Sequence, residues 1–274
     1  MSSAQKIKIA AIQTVSGPDV VANLEAAGKL IAEAASAGAK FVGLPEFFVL
    51  ISGDEAAKVR AREEEGSGPI QDFLAAMAKK HGVWIVGGTV PLVADVPDKV
   101  RNTTLVFNAQ GERVARYDKI HLFGFSKGDE FYDEGRSIEA GDDVVVFDSP
   151  AGKVGLSVCY DLRFPELFRA MGTVDLIVLP AAFVHTTGQA HWEVLLRARA
   201  IENQCYVLAP AQGGRHPNGR KTWGHSMVID PWGDILACRS EEGEGVVVAE
   251  LDFARLSEIR HSLPALRHRR LRQV

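Results

Sequence analysis

Three residues of complementary chemistry stand at the ends of predicted strands far apart in the chain. Glu46 closes "FVGLPE", Lys119 closes "RVARYDK" and Cys159 closes "KVGLSVC". A carboxylate, an ammonium and a thiol form a working set for acyl transfer when they share one pocket. A free thiol has a pKa near ~8.5, so little of it is thiolate at neutral pH and its attack needs a base. Glu46, set between the apolar stretches "FVGLP" and "FFVL", is the candidate base. Lys119 then holds its charge against the oxyanion of a tetrahedral intermediate. The backbone N–H of Tyr160, at the entrance to a helix, is the second donor. Each residue alone has a plainer reading: a small buried hydrophobe, a solvated lysine, a carboxylate near a helix start. Only their convergence makes a site, and spacing does not supply it.

The elements that must bring them together are legible in the hydrophobic pattern. "IKIAAIQT" reads as a strand, and "VVANLEAAGKLIAEAASAG" as an amphipathic helix closed by glycine. "KFVGLP" is a short buried strand, and "GPIQDFLAAMAKKHG" a helix with proline at its start and glycine at its end. "VWIVGGTV" and "TTLVFN" are predicted strands, followed by the turn "NAQGE" and "RVARYDKIHLF". Residues 124–143 read as a polar loop. Next come the strands "VVVFDSP" and "KVGLSVC", a helix near 164–171, "VDLIVLPAAF", a long helix around "QAHWEVLLRARAIENQ" and the strand "CYVLAPAQ". "HSMVIDP", "DILACRS" and "GVVVAELD" complete the strands before a short C-terminal helix. Sites in α/β proteins gather where strands run out, which is where the three residues sit.

"LVFNAQGERVA" and "MVIDPWGDILA" echo each other as strand, glycine-containing turn, strand. The echo predicts two sheets packed together with helices outside. No linker rich in Pro, Gly or Ser divides the halves, so one domain over residues 1–274 is expected.

Bulk properties exclude several classes. The chain has 274 residues, 46% hydrophobic and 24% charged, an ordinary globular balance. Its net charge of −4 gives no general attraction to nucleic acid or to an anionic membrane. Three scattered cysteines, Cys159, Cys205 and Cys238, form neither a disulfide framework nor a zinc knuckle. A reducing, cytosolic compartment is the expectation, with no signal peptide and no membrane-spanning run.

"GLPEFF", "YDKIHLF" and "GLSVCYDLRFPEL" resemble the three signature segments of the nitrilase superfamily, the carbon–nitrogen hydrolases. The resemblance runs from "IAAIQT" to "LPALRHRR". It implies a four-layer α-β-β-α sandwich, usually dimeric, with C-terminal segments (here about 253–274) at the subunit interface. It maps the family's base onto Glu46, its lysine onto Lys119 and its nucleophile onto Cys159. "DEGRSIEAGDD" looks like the segment carrying a second glutamate, which falls on Glu134, with Glu130 and Glu139 close by. Neither cofactor nor metal is implied.

"AHWEVLLRARAIENQCYVLAPAQGGRH" and "WGHSMVIDPWGD" are similar to the Nit branch, which contains deaminated glutathione amidases and ω-amidases. The implied substrate is a carboxylate-bearing linear amide, foremost deaminated glutathione, hydrolysed through a thioester to 2-oxoglutarate and cysteinylglycine. The alternatives are 2-oxoglutaramate, an aliphatic nitrile, or a silent interaction protein on the same fold. A carboxylate substrate needs a cation near the thiol. Arg163, four residues after Cys159, is the candidate clamp; its plainer role is pairing with Asp161 or Glu166. Thr186 and Thr187 are candidates for the substrate's other end, against a loop-capping role. "GFSKGDEFYDEG" departs from the branch, which has an Asp-Val or Asp-Ile and a Pro-Gly after "HLF". That loop, 124–135, therefore bears on substrate identity.

Other motifs carry less. "GLSVC" lacks the final glycine of a serine-nucleophile elbow around Ser157. "GRHPNGRKT" has Arg220 where a phosphate loop needs lysine, and reads as a glycine-rich turn. His185 and His191 lack a metal-ligand pattern. Cys205 and Cys238 are expected to be structural and buried. The basic tail with Arg267, Arg269, Arg270 and Arg272 is too short, and too poor in aromatics, for nucleic acid.

Overall fold

The computed structural model describes residues 6–54, 56–128 and 130–271. The chain opens with β1 (Lys6–Gln13), α1 (Val20–Ser36), β2 (Phe41–Gly43), α2 (Ala56–Arg60) and α3 (Pro69–His81). β3 (Trp84–Val86), β4 (Val90–Val93), β5 (Val100–Phe107) and β6 (Arg113–Asp118) follow. A hairpin of β7 (Gly124–Lys127) and β8 (Glu130–Asp133) precedes β9 (Ile138–Glu139). Next are β10 (Val146–Ser149), β11 (Gly152–Leu156), α4 (Pro165–Ala170), β12 (Leu176–Val178), α5 (His185–Asn203) and β13 (Tyr206–Ala209). β14 (Gly213–Arg215), β15 (Lys221–Trp223), β16 (Met227–Ile229), β17 (Ile235–Cys238), β18 (Gly245–Asp252) and α6 (Phe253–Ser262) complete it.

Local chemistry accounts for the helix boundaries. Asp19 caps α1 by accepting from the N–H groups of Val21 and Ala22. Pro69 opens α3, and Gly82 closes it in the left-handed region at φ 61°.

Two sheets result. One has the order β18-β1-β2-β3-β5-β4, with β6 and β9 also paired to β5; the other runs β10-β11-β12-β13-β16-β17. β1, β2 and β3 are parallel, as are β11, β12 and β13. Alternation along β1 divides its side chains between two cores. Ile7, Ile9 and Ala11 face the second sheet with Val154, Leu156 and Ile177, whereas Ala10 and Ile12 join Ile31 of α1 and Leu74 of α3. The layers are thus helix, sheet, sheet, helix, with α4 and α5 outside the second sheet.

The echoed segments form the antiparallel pairs β5–β6 and β16–β17, one in each sheet. Their turns share one device. Asn108 accepts from the N–H groups of Gln110 and Glu112, as Asp230 does from those of Trp232 and Asp234. Gly111 and Gly233 supply the positive φ, 82° and 90°.

Three departures bear on the site. "VWIVGGTV" is two strands, broken at Gly87 and Gly88. Gly88 has φ +53°, and a Cβ there would lie 2.1 Å from the Pro45 carbonyl oxygen, so glycine lets the segment before Glu46 pass close by. Residues 124–143 are not an unstructured loop. They hold the β7–β8 hairpin, a 3₁₀ turn at Glu134–Arg136, and β9, which pairs with β5. β11 stops at Leu156, so Cys159 opens a 3₁₀ turn beyond the strand.

Candidate active site

Glu46 lies three residues past β2 and is 1% exposed. Both its carboxylate oxygens are occupied. Oε1 accepts from Lys119 Nζ and from Asn102 Nδ2, each at 2.9 Å, and Oε2 accepts the backbone N–H of Ala182 at 3.0 Å. Its carbonyl oxygen accepts from Gln212 Nε2 at 3.1 Å. Lys119 follows β6 directly, is fully buried, and donates its backbone N–H to the Asn102 carbonyl. Its ammonium also donates to Glu134 Oε2 at 2.7 Å, and that oxygen accepts the Phe123 N–H at 2.8 Å. Lys119 therefore bridges two carboxylates.

Of the three candidate glutamates, Glu134 reaches the lysine. Glu130 accepts from Thr186 Oγ1 at 2.9 Å, and Glu139 pairs with Arg101 at 2.6 Å.

Electrostatics follow from that bridge. Burial pulls the Lys119 pKa down, but the carboxylates of Glu134 and Glu46 outweigh it and hold the ammonium above its ordinary range. Burial favours the neutral form of Glu134, yet Lys119 beside it, with Lys58, keeps its carboxyl below the usual range.

Cys159 is 7% exposed, lines a pocket with Glu134, and adopts φ 49°. The sharp turn that a glycine would ease is made by the cysteine itself, strained into the left-handed region. Burial first, then the charge of Glu46, pushes its thiol well up, while Lys119 opposes them. The resting group is a thiol, so attack requires transfer of its proton.

The turn is tied down by Asp161, which is fully buried. Its carboxylate accepts from Tyr117 Oη at 2.6 Å, from Val158 N–H at 2.7 Å and from His121 N–H at 3.1 Å. Asp161 is thus committed away from Arg163. Arg163 lies over the rings of Tyr160 and Phe183, lines the pocket, and contacts His191 Nδ1 through Nη1 at 3.1 Å. Thr187 lines the same pocket. Thr186 turns to Glu130 instead.

Sequence reasoning missed Asn102, the anchoring function of Asp161, the Ala182 amide, and Arg220 as a pocket residue. No local spacing announces them. Cys205 is buried, but Cys238 is exposed, contrary to expectation: β17 is an edge strand, so its side chains are not enclosed. Ser157 is buried, with its hydroxyl on the Val178 carbonyl. Among the described residues no cluster of His, Cys, Asp and Glu is arranged to hold a metal, and no helix is long and apolar enough to cross a membrane. Arg272 of the basic tail lies outside the described residues.

Residues 8–261 match the carbon-nitrogen hydrolase family. The chain is 40% identical to the deaminated glutathione amidase of Yersinia enterocolitica, over 96% of this chain and 92% of that protein. It is 38% identical to omega-amidase NIT2-A of Xenopus laevis, over 97% of this chain and 95% of that protein. The crystal structure of the C. elegans NitFhit protein superposes with a TM-score of 0.89 at 36% identity, covering 98% of this chain and 66% of that one. The chain therefore belongs to the carbon–nitrogen hydrolases of the nitrilase superfamily, and is a hydrolase of carbon–nitrogen bonds other than peptide bonds.

Proposed function

We propose that this enzyme is a cysteine-dependent amidase that hydrolyses deaminated glutathione to 2-oxoglutarate and cysteinylglycine. The observation that carries the reading is the bridge of Lys119 between Glu46 and Glu134, beside the pocket that holds Cys159. Support for the substrate comes from the relatives named for that reaction. Glu46 takes the thiol proton as sulfur attacks the amide carbon. Lys119 and the Tyr160 N–H hold the oxyanion. Collapse of the intermediate breaks the C–N bond, Glu46 protonates the departing amine, and a thioester remains. Water, deprotonated by Glu46, then releases the acid and restores the thiol. Glu134 keeps Lys119 charged and oriented. Arg163 binds the carboxylate of the 2-oxo acid, and Thr187 offers a hydroxyl nearby; Thr186, held by Glu130, serves the adjoining loop instead.

The whole chain forms one catalytic domain that works in the cytoplasm as a homodimer. The dimer reading rests on an exposed apolar face. Val194 and Ile201 are 62% and 48% exposed on α5, and Trp232 and Leu236 are 52% and 44% exposed around the β16–β17 turn. Arg255 of α6 lies 3.5 Å from Asp230 beside Trp232, so the C-terminal segment borders this face.

A panel of kcat/KM values for deaminated glutathione, 2-oxoglutaramate, simple amides and nitriles tests the substrate. Deaminated glutathione is expected to lead, and Cys159→Ala to lose turnover with its fold retained. A leading nitrile, or substantial activity without the thiol, rejects the reading.

A further inference from the structure

A second guanidinium, that of Arg220, lines the pocket beside Cys159 and Arg163. The turn between β14 and β15 carries it there. Its Nη2 donates to the Ala182 carbonyl oxygen at 2.8 Å, and its charge lies 5.3 Å from the Tyr132 ring centre. The Nε–H is buried with no acceptor among the described residues, and the bond the side chain does make is to a neutral carbonyl. A guanidinium fixed by a ring and a carbonyl, lining a pocket and in no ion pair among the described residues, is built to receive a planar anion.

The two arginines address different ends of a substrate. Arg163 belongs to the turn that carries the nucleophile. Arg220 is joined to Ala182, whose own N–H is bound to Glu46 Oε2 at 3.0 Å. In the amidase reading above, on which this inference rests, Glu46 returns the proton to the leaving nitrogen. Whatever continues beyond that nitrogen extends from the Glu46–Ala182 side, where Arg220 stands.

We propose that Arg220 is a specificity residue that binds a carboxylate on the leaving amine. The site then favours amides carrying one carboxylate on each side of the scissile bond. Deaminated glutathione has that second carboxylate on its glycine; 2-oxoglutaramate releases only ammonia.

The test measures kcat and KM of the wild type, Arg220→Ala and Arg220→Lys. The substrates are deaminated glutathione, its analogue with a C-terminal carboxamide, and 2-oxoglutaramate. Arg220→Ala is expected to raise the KM for deaminated glutathione about 10–100-fold, as loss of a charged hydrogen bond does, with a much smaller change in kcat. The effect on the carboxamide analogue is expected to be at least about tenfold smaller, and lysine to restore part of the loss. Equal wild-type turnover of carboxylate and carboxamide forms overturns the proposal, and that comparison stands even if the variants misfold. Wild-type enzyme inactive on all three overturns the amidase reading with it; activity without carboxylate preference overturns only the role of Arg220.

Discussion

Asn102 donates its side-chain amide to the same Glu46 oxygen, Oε1, that receives the ammonium of Lys119, each at 2.9 Å. With Ala182 on Oε2, the carboxylate is pinned by three donors from three separate segments. Those three bonds hold the carboxylate in one orientation. Asn102→Ala is expected to lower kcat about 10–100-fold, the cost of one charge-assisted hydrogen bond, with little change in KM. Steady-state kinetics checks it; an unchanged kcat shows that the pinning is dispensable.

The Lys119–Glu134 pair sets a pH signature. The Glu134 pKa is lowered in the folded chain, so its contribution is full above the unfolded value of about 4.3 and is lost as pH falls through the folded one. The Lys119 pKa is raised, so its contribution is full below about 10.4 and is lost only as pH climbs beyond that. The pair's contribution is therefore flat from about pH 5 to 10. Glu134→Gln is expected to be less stable than wild type by about 3 kcal/mol near pH 7, as for breaking one buried ion pair, with the gap closing below about pH 4. Urea melts across that range decide it; a gap that widens in acid contradicts the assignment.

Thiol reactivity reports the charge of Glu46. Since that charge helps hold the Cys159 pKa up, Glu46→Gln is expected to move the pH profile of iodoacetamide labelling at Cys159 to lower pH, even as turnover disappears. Mass spectrometry of the labelled peptides separates the sites. Exposed Cys238 serves as the internal reference, and Cys205, pushed up to about 12 by burial, stays inert. A profile moved to higher pH sinks this account.

Asp161→Ala leaves Tyr117 Oη and the backbone N–H groups of Val158 and His121 without their acceptor. Each buried donor left unmet costs about 1–3 kcal/mol, so a loss of about 3 kcal/mol or more is expected. The turn that strains Cys159 loosens with it, and kcat falls. Chemical denaturation read beside kcat is the check, and wild-type stability in the variant refutes the anchoring role.

Trp232→Glu places a charge on the apolar face of α5 and the β16–β17 turn. It is expected to turn a dimer into a monomer in sedimentation experiments, with the melting temperature dependent on protein concentration in the wild type only. A wild-type monomer, or a variant that still dimerises, removes this face from the interface.

What the sequence determined by itself is what neighbours in the chain can decide. The caps of α1 and α3, and the matched turns at Asn108 and Asp230, are settled within a few residues, so side-chain chemistry spells them out. The hydrophobic period separated strands from helices for the same reason, and the echo of β5–β6 in β16–β17 disclosed two sheets. Glu46, Lys119 and Cys159 were legible because each closes a predicted strand within a segment that resembles a nitrilase-superfamily signature. Tertiary structure alone decided that Glu134, not Glu130 or Glu139, reaches Lys119, that Asn102 and Ala182 hold Glu46, that Asp161 serves the turn and not Arg163, and that Arg220 stands in the pocket. Those hydrogen bonds join segments as many as 136 residues apart, and no local pattern encodes a partner at that distance. The packing of the two sheets makes them neighbours.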